Sequence, residues 1–298
     1  MPQDHMTKKT TTSDILWLGA HKTGTTYLQS LLPHARAALA RAGLLHVGLA
    51  AFRSLYTDPV LNGGVGTPTP LPRDDAKAPR YLIFDENIPA LVHDVLSRHA
   101  LYPDGAERAL QLARRAGIRP SRIVLGIRSF DSYLPSLYCE VLKSMPFLPF
   151  ADFNRIPLTA LSWSNLIERL AAAFPLAQIC VYRAEDLKGR EADLLAWVTG
   201  LASQDFPAAP GPVREGFSQG AIDALHELHR QGPVSRQDVV RCLEAHPRTP
   251  GSAAFRPWED ARQRDLKLAY ALDLEEIGAL EKSTQDRVTL WRPKGAAS

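Results

Sequence analysis

The residues best suited to hold an anion lie near the start of the chain, in Gly19-Ala20-His21-Lys22-Thr23-Gly24-Thr25-Thr26. Two glycines five residues apart let the backbone turn tightly. Between a strand and a helix, such a loop aims successive N–H groups and the first helical turn at one point, as phosphate-binding loops do. An ATP-type loop carries its lysine directly after the second glycine. Here that position is Thr25, and Lys22 stands inside the loop, two residues before Gly24, so it approaches an anion from another side. The same residues could also form a plain strand-to-helix turn with Thr25 or Thr26 as its cap. A second anion-binding pair follows the run Arg122–Ile127, in Arg128 and, eight residues on, Ser136. Arginine offers a forked, permanently charged partner to phosphate, and a hydroxyl one turn into a helix adds a donor. Two carboxylates, Asp85 and Glu86, end the run YLIFDE; the two-residue period of a strand sends them to opposite faces. A glutamate carried into a partly desolvated cleft suits a general base, so Glu86 is a candidate, with Asp85 beside it also open and His21, next to Lys22, in reserve. The Asp-Glu-Asn trio could instead cap a following helix.

Chemistry at these positions requires strands that end together. Four short apolar runs, 15–20, 81–85, 122–127 and 178–182, with a weaker fifth at 44–48, read as strands buried on both faces. Amphipathic stretches separate them and read as helices over 25–42, 104–117, 131–144 and 165–174. Strand alternating with helix predicts an α/β fold with a mostly parallel sheet covered on both faces. Past a Pro- and Gly-rich break at 202–216 the sequence turns helical, over 218–231, 235–246 and 258–281. The expected organisation is one domain over 14–298, with an α/β core over 14–201, a helical C-terminal portion over 217–282, and flexible ends at 1–13 and 293–298. A second Pro- and Gly-rich stretch, 57–79, is expected to be a lid, a binding loop or a mobile insertion.

Composition narrows the function classes. Apolar residues make up 45% and charged residues 22% of 298, as in an ordinary globular chain. Thirty-five Lys and Arg against 32 Asp and Glu leave a net charge of only +3, scattered along the chain, so charge implies no nucleic-acid surface. Cys139, Cys180 and Cys242 are too widely spaced for a disulfide framework or a zinc site, which points to a reducing compartment. His226 and His229 are three apart rather than the four of a zinc-protease helix, so an exposed helix face is expected there. With no secretory apolar region at the N-terminus and no long apolar run, the expectation is a cytoplasmic protein without a transmembrane segment.

The string HKTGTTYLQ resembles the loop of the PAPS-dependent sulfotransferases, in which a Lys-(Ser/Thr)-Gly-Thr-Thr segment grips the 5′-phosphosulfate of 3′-phosphoadenosine-5′-phosphosulfate (PAPS). The Arg128/Ser136 spacing is similar to the pair that supports the 3′-phosphate in that family. The resemblance covers roughly residues 15 to 200. It implies a P-loop nucleoside-triphosphate-hydrolase-like sulfotransferase fold. It also implies a nucleotide site of Lys22, Thr23, Gly24, Thr25, Thr26, Tyr27, Arg128 and Ser136, with Tyr27 in place of the family's adenine-stacking tryptophan. The implied catalytic residues are Lys22, which stabilises the departing phosphate, and Glu86 or His21 as base. PAPS is then a co-substrate, the bisphosphate PAP a product, no metal is needed, and the acceptor is a small molecule, lipid or glycan. Where the family places an adenine-contacting tyrosine this chain has Ala184, with Tyr182 as a substitute. Arg214-Glu215-Gly216 is only a distant counterpart of the late Arg-Lys-Gly clamp. The alternatives are a P-loop kinase or hydrolase, which would need Asp85 or another strand-end aspartate to hold Mg²⁺, and a non-catalytic nucleotide-binding module.

Overall fold

The apolar runs become strands because each is too short for a helix and buried on both faces. A computed structural model describes residues 13–63, 69–73, 80–207 and 216–293. Strands β1 (Asp14–Trp17), β2 (Leu44–His46), β3 (Arg80–Phe84), β4 (Pro120–Ile127), β5 (Gln178–Arg183) and β6 (Val288–Leu290) form one six-stranded sheet. Their order is β2-β3-β1-β4-β5-β6, and every neighbouring pair is parallel. The central strand β1 sends alternate residues to two cores. Leu16 joins one face and Ile15 and Trp17 the other, where Trp17 stacks on Phe84 with ring centroids 4.3 Å apart.

The helices are α1 (Thr25–Leu31), α2 (Arg36–Arg41), α3 (Leu49–Phe52), α4 (Asp58–Leu61), α5 (Gly105–Ala116), α6 (Phe130–Val141), α7 (Phe150–Phe153), α8 (Trp163–Ala173), α9 (Glu191–Thr199), α10 (Gln219–Gln231), α11 (Arg236–Ala245) and α12 (Asp260–Ser283). Leu28, Leu31 and Leu39 of α1 and α2 and Leu194 and Val198 of α9 cover one face of the sheet, whereas α5, α6, α8 and α12 cover the other. The connection after β1 therefore leaves on one face and the connection after β4, its neighbour, on the opposite face. Such a reversal opens a crevice at the carboxyl ends of the two strands. The loop and Arg128 both lie there.

Several boundaries differ from the sequence reading. The single helix expected over 25–42 is two, because Pro33 lacks the N–H that would continue it; Leu32 closes α1 by donating to the Gln29 carbonyl. Within 57–79, residues 58–61 are helical and continue α3 and the π-turn Arg53–Thr57. Leu71 N donates to Ala116 O, and the Arg73 guanidinium pairs with the buried Asp14 at the amino end of β1, away from the crevice. The described part of this segment is thus neither a lid nor a binding loop, and 64–68 and 74–79 lie outside the described residues. Of the expected flexible ends 1–13 and 293–298, residues 1–12 and 294–298 also lie outside them. The C-terminal portion is helical as expected, but it returns to the sheet as β6, an edge strand the sequence reading missed.

Two contacts hold that portion against the α/β core. Pro135, inside α6, has no N–H to give to the Asp131 carbonyl one turn back, and the Trp258 indole N–H fills the vacancy at 2.6 Å. Asp273 of α12, 4% exposed, accepts from the N–H groups of Trp163 and Ser164 at 2.7 and 3.0 Å, which caps the start of α8. Among the described residues no helix is long and apolar enough to cross a membrane.

Candidate active site

The crevice contains a cavity of about 980 Å³. His21, Lys22, Gly24, Thr25, Thr26 and Tyr27 line it, together with Glu86, Arg128 and Ser136. The fold thus gathers nine of the ten residues singled out from the sequence, and Thr23 is the exception.

The loop is built to present backbone. Gly19 has φ 96° and Gly24 φ 87°, both in the left-handed region where a side chain is strained, and Lys22 between them has φ 62°. A Cβ on Gly19 would also meet the Glu86 Cβ at 2.9 Å, so glycine is what lets the second strand end carry its carboxylate against the loop. Among the described residues, the amide N–H groups of Lys22, Thr23, Gly24, Thr25 and Thr26 donate to no protein group. Consecutive free amides in a left-handed turn form a concave anion cradle.

Beneath the cradle the polar groups are cross-bonded. Thr23 is fully buried and spends its hydroxyl on the Ala20 carbonyl at 2.7 Å and on the Tyr182 hydroxyl at 3.2 Å, so its side chain is a structural brace and not a ligand. Tyr182 is likewise fully buried below the loop, with its ring edge-on to Trp17, which corrects the reading of it as an adenine contact. His21 Nε2 faces the Asn87 amide oxygen at 3.2 Å and therefore carries the proton, leaving Nδ1 to accept from the Tyr102 hydroxyl at 3.0 Å. The same hydroxyl accepts the His21 backbone N–H and meets the Tyr133 hydroxyl at 3.2 Å. Burial pushes His21 below its ordinary value, which keeps the ring neutral. Both ring nitrogens are thus bonded, which fixes the His21 ring beside Lys22 at the cavity wall.

Lys22 reaches across the cavity to Glu140, Nζ to Oε2 3.0 Å, and Lys143 binds the same oxygen at 2.9 Å. Burial lowers the Lys22 ammonium from its ordinary value, while Glu140 opposes that shift. Burial would raise the Glu140 carboxyl, but the two lysines override it and hold it at about 2. The sequence reading missed Glu140; only its position ten residues after Phe130 on an inward helix face could have signalled it.

Arg128 ties the loop to α6. Its guanidinium donates to Ser132 Oγ at 2.9 Å, to Ser136 Oγ at 3.3 Å and to the Lys22 carbonyl at 3.0 Å, and the Trp163 indole holds its own carbonyl at 2.9 Å. Burial lowers its pKa, yet an arginine stays cationic.

The adjacent carboxylates lie in the turn just past β3, beyond the reach of the strand period, and Arg53 Nη2 contacts both, so the expected split to opposite faces is replaced by a shared guanidinium. Asp85 is fully buried and saturated by Arg53 at 2.7 and 2.8 Å, Thr57 at 2.8 Å and the Asn87 N–H at 3.0 Å, so it does not reach the cavity as an Mg²⁺-holding aspartate would. The Asn87 N–H bond closes a turn rather than capping a helix. Glu86 does line the cavity, held by Gln29 at 2.8 Å and Arg53 at 3.2 Å. Ala184 opens a 3₁₀ turn after β5, and Arg214 and Glu215 lie outside the described residues. On α10 His229 is exposed and His226 half-buried, and both sit edge-on to the buried Phe147 ring.

The chain matches no family model, and no curated protein is significantly similar to it.

Proposed function

We propose that the protein is a sulfotransferase that moves the sulfuryl group of PAPS to an acceptor hydroxyl or amine, in a P-loop-like sulfotransferase fold. One observation carries the reading: the free amide cradle at Lys22–Thr26 and the Arg128/Ser136 pair border one cavity, joined by the Arg128-to-Lys22 hydrogen bond of 3.0 Å. Two anion sites this close suit a nucleotide bearing phosphate at both its 5′ and 3′ positions, which neither AMP nor ATP does.

In this reading the loop amides and the Thr25 and Thr26 hydroxyls hold the 5′ end, Arg128 and Ser136 hold the 3′-phosphate, and Tyr27 offers a ring for the base to stack on. The acceptor oxygen forms a bond to sulfur as the bond from sulfur to the bridging phosphate oxygen breaks in line. Lys22 places its ammonium against the charge that accumulates on the departing phosphate. Glu86, across the loop, takes the acceptor proton.

The test is thermal denaturation with PAP, AMP and ATP at matched concentrations, because a ligand that binds only the folded state raises the melting temperature. PAP should stabilise the protein well beyond AMP, and turnover of PAPS should survive EDTA. Equal stabilisation by AMP would sink the assignment.

A further inference from the structure

At about 980 Å³ the cavity sits at the upper end of the roughly 300–1,000 Å³ in which small-molecule sites fall. The nucleotide groups proposed above all lie on its α/β wall. A second part of the lining belongs to the C-terminal portion: Phe217, Phe255 and Trp258 supply aromatic surface, and Arg248, Arg256 and Lys267 supply charge.

This wall is fixed by backbone. Ser218 and Ala254 form an antiparallel bridge, Gln219 N donates to Ala253 O at 2.9 Å and Phe255 N to Phe217 O at 3.2 Å, which seats Arg256 at the rim. Ser218 Oγ donates to the His246 carbonyl at 2.7 Å, and Arg248 closes a small turn onto the Ser252 carbonyl at 2.8 Å. The Trp258 indole is anchored on α6.

The cations of this wall are unequally compensated. Lys267 lies 3.9 Å from Asp131, which also accepts from Ser129 and Gln263. Arg248 and Arg256 have no carboxylate within ion-pair reach among the described residues; Asp260 lines the same wall without reaching either. Two guanidinium groups beside three aromatic rings, without an internal counter-ion, suit a ligand that carries an anionic group on a ring: the forks pair with the anion and the rings cover its apolar body.

We propose that this wall is the acceptor subsite and that the acceptor is an anionic, ring-bearing molecule, whose carboxylate, sulfate or phosphate is held by Arg248 and Arg256 while its hydroxyl faces Glu86 and Lys22. The inference rests on the sulfotransferase reading of the other wall.

The experiment titrates phenyl phosphate and, as the uncharged control, phenol into PAP-saturated protein by calorimetry. Phenyl phosphate should bind at least tenfold more tightly than phenol. The Arg248→Ala/Arg256→Ala double variant should lose that advantage while its PAP affinity stays within twofold of wild type, which also shows that it folds. Replacing both arginines by lysine should restore part of the effect. Equal binding of phenol and phenyl phosphate overturns the proposal. So does a double variant that loses PAP affinity, since the arginines would then serve the nucleotide. Should PAP itself bind no better than AMP, it is the sulfotransferase reading that falls. The same titration of the unliganded protein then still reports whether these two arginines hold an anionic ring.

Discussion

The two walls of the cavity are built in opposite ways. On the α/β wall nearly every polar side chain is bonded to another: Thr23 to Tyr182, His21 to Tyr102 and Asn87, Arg128 to Ser132, Ser136 and the loop backbone. On the C-terminal wall the backbone is fixed, but the Arg256 and Lys267 side chains stand in solvent. Cross-bonding costs conformational freedom once, during folding, and leaves groups that need no reorganisation when charge develops. The exposed Arg256 can adjust to whatever anion arrives. In the proposed reading, the α/β wall serves one fixed chemistry and the C-terminal wall selection among acceptors.

Removing Lys22 tests that division most severely. Lys22→Ala should lower turnover of PAPS by about 10²–10³, or about 2.7–4 kcal/mol of transition-state stabilisation, with a smaller change in the affinity for PAP. Activity kept within tenfold would mean that the α/β wall is not where the reaction is driven. Arg128→Ala should come next, lowering the preference for PAP over AMP by about 10- to 100-fold, as expected for charged hydrogen bonds worth about 1.5–3 kcal/mol. Calorimetry with the two nucleotides reads this directly, and an unchanged ratio would place the 3′-phosphate elsewhere.

Tyr102→Phe sharpens the claim that the loop is braced from below. The hydroxyl serves the His21 N–H, His21 Nδ1 and Tyr133 together, so its loss strands buried groups and should cost about 1–3 kcal/mol by urea unfolding. Tyr133→Phe, which removes only the outer member, should cost less. Equal costs would break the account of Tyr102 as the hub.

These residues also show how much of the molecule its sequence discloses. The loop was legible because a glycine-rich turn is a local device, and Arg128 and Ser136 because eight residues across a strand end and a helix turn fix their distance. The strand period did not decide Asp85 and Glu86, because the strand ends at Phe84 and the turn after it lets Arg53 reach both carboxylates. The bracing was not legible: Tyr102 is 81 residues from His21, and Tyr182 is 159 from Thr23, so nothing in either neighbourhood marks the pair. Glu140 was hidden in the same way, 118 residues from the lysine it meets. Strand β6 was missed because three residues at a sheet edge carry too little apolar pattern to stand out, and the C-terminal wall because its side chains converge only through the long-range bridge at Ser218 and Ala254.

The gentlest test concerns Glu140, the carboxylate paired with the loop lysine. In the unliganded protein Glu140 neutralises Lys22 and Lys143, but an arriving phosphate has to share the cavity with that carboxylate. Lys22 can turn to the phosphate because Lys143 remains to hold Glu140. Glu140→Gln keeps the shape and removes the like charge, so PAP should bind about three- to tenfold more tightly, or about 0.7–1.4 kcal/mol. Stability should move the other way, and with a definite pH dependence. The folded protein holds this carboxyl at about 2 against an ordinary 4.5, so the ionised form favours folding. That contribution is complete above about 4.5 and is lost as pH falls toward about 2. The glutamine variant has no such slope: its melting temperature should lie below wild type at pH 6, and the gap should narrow steadily as the pH is lowered from about 4.5 toward 3. A gap that stays constant would show that Glu140 is not bound to the lysines in solution, and tighter PAP binding could then not be ascribed to freeing Lys22.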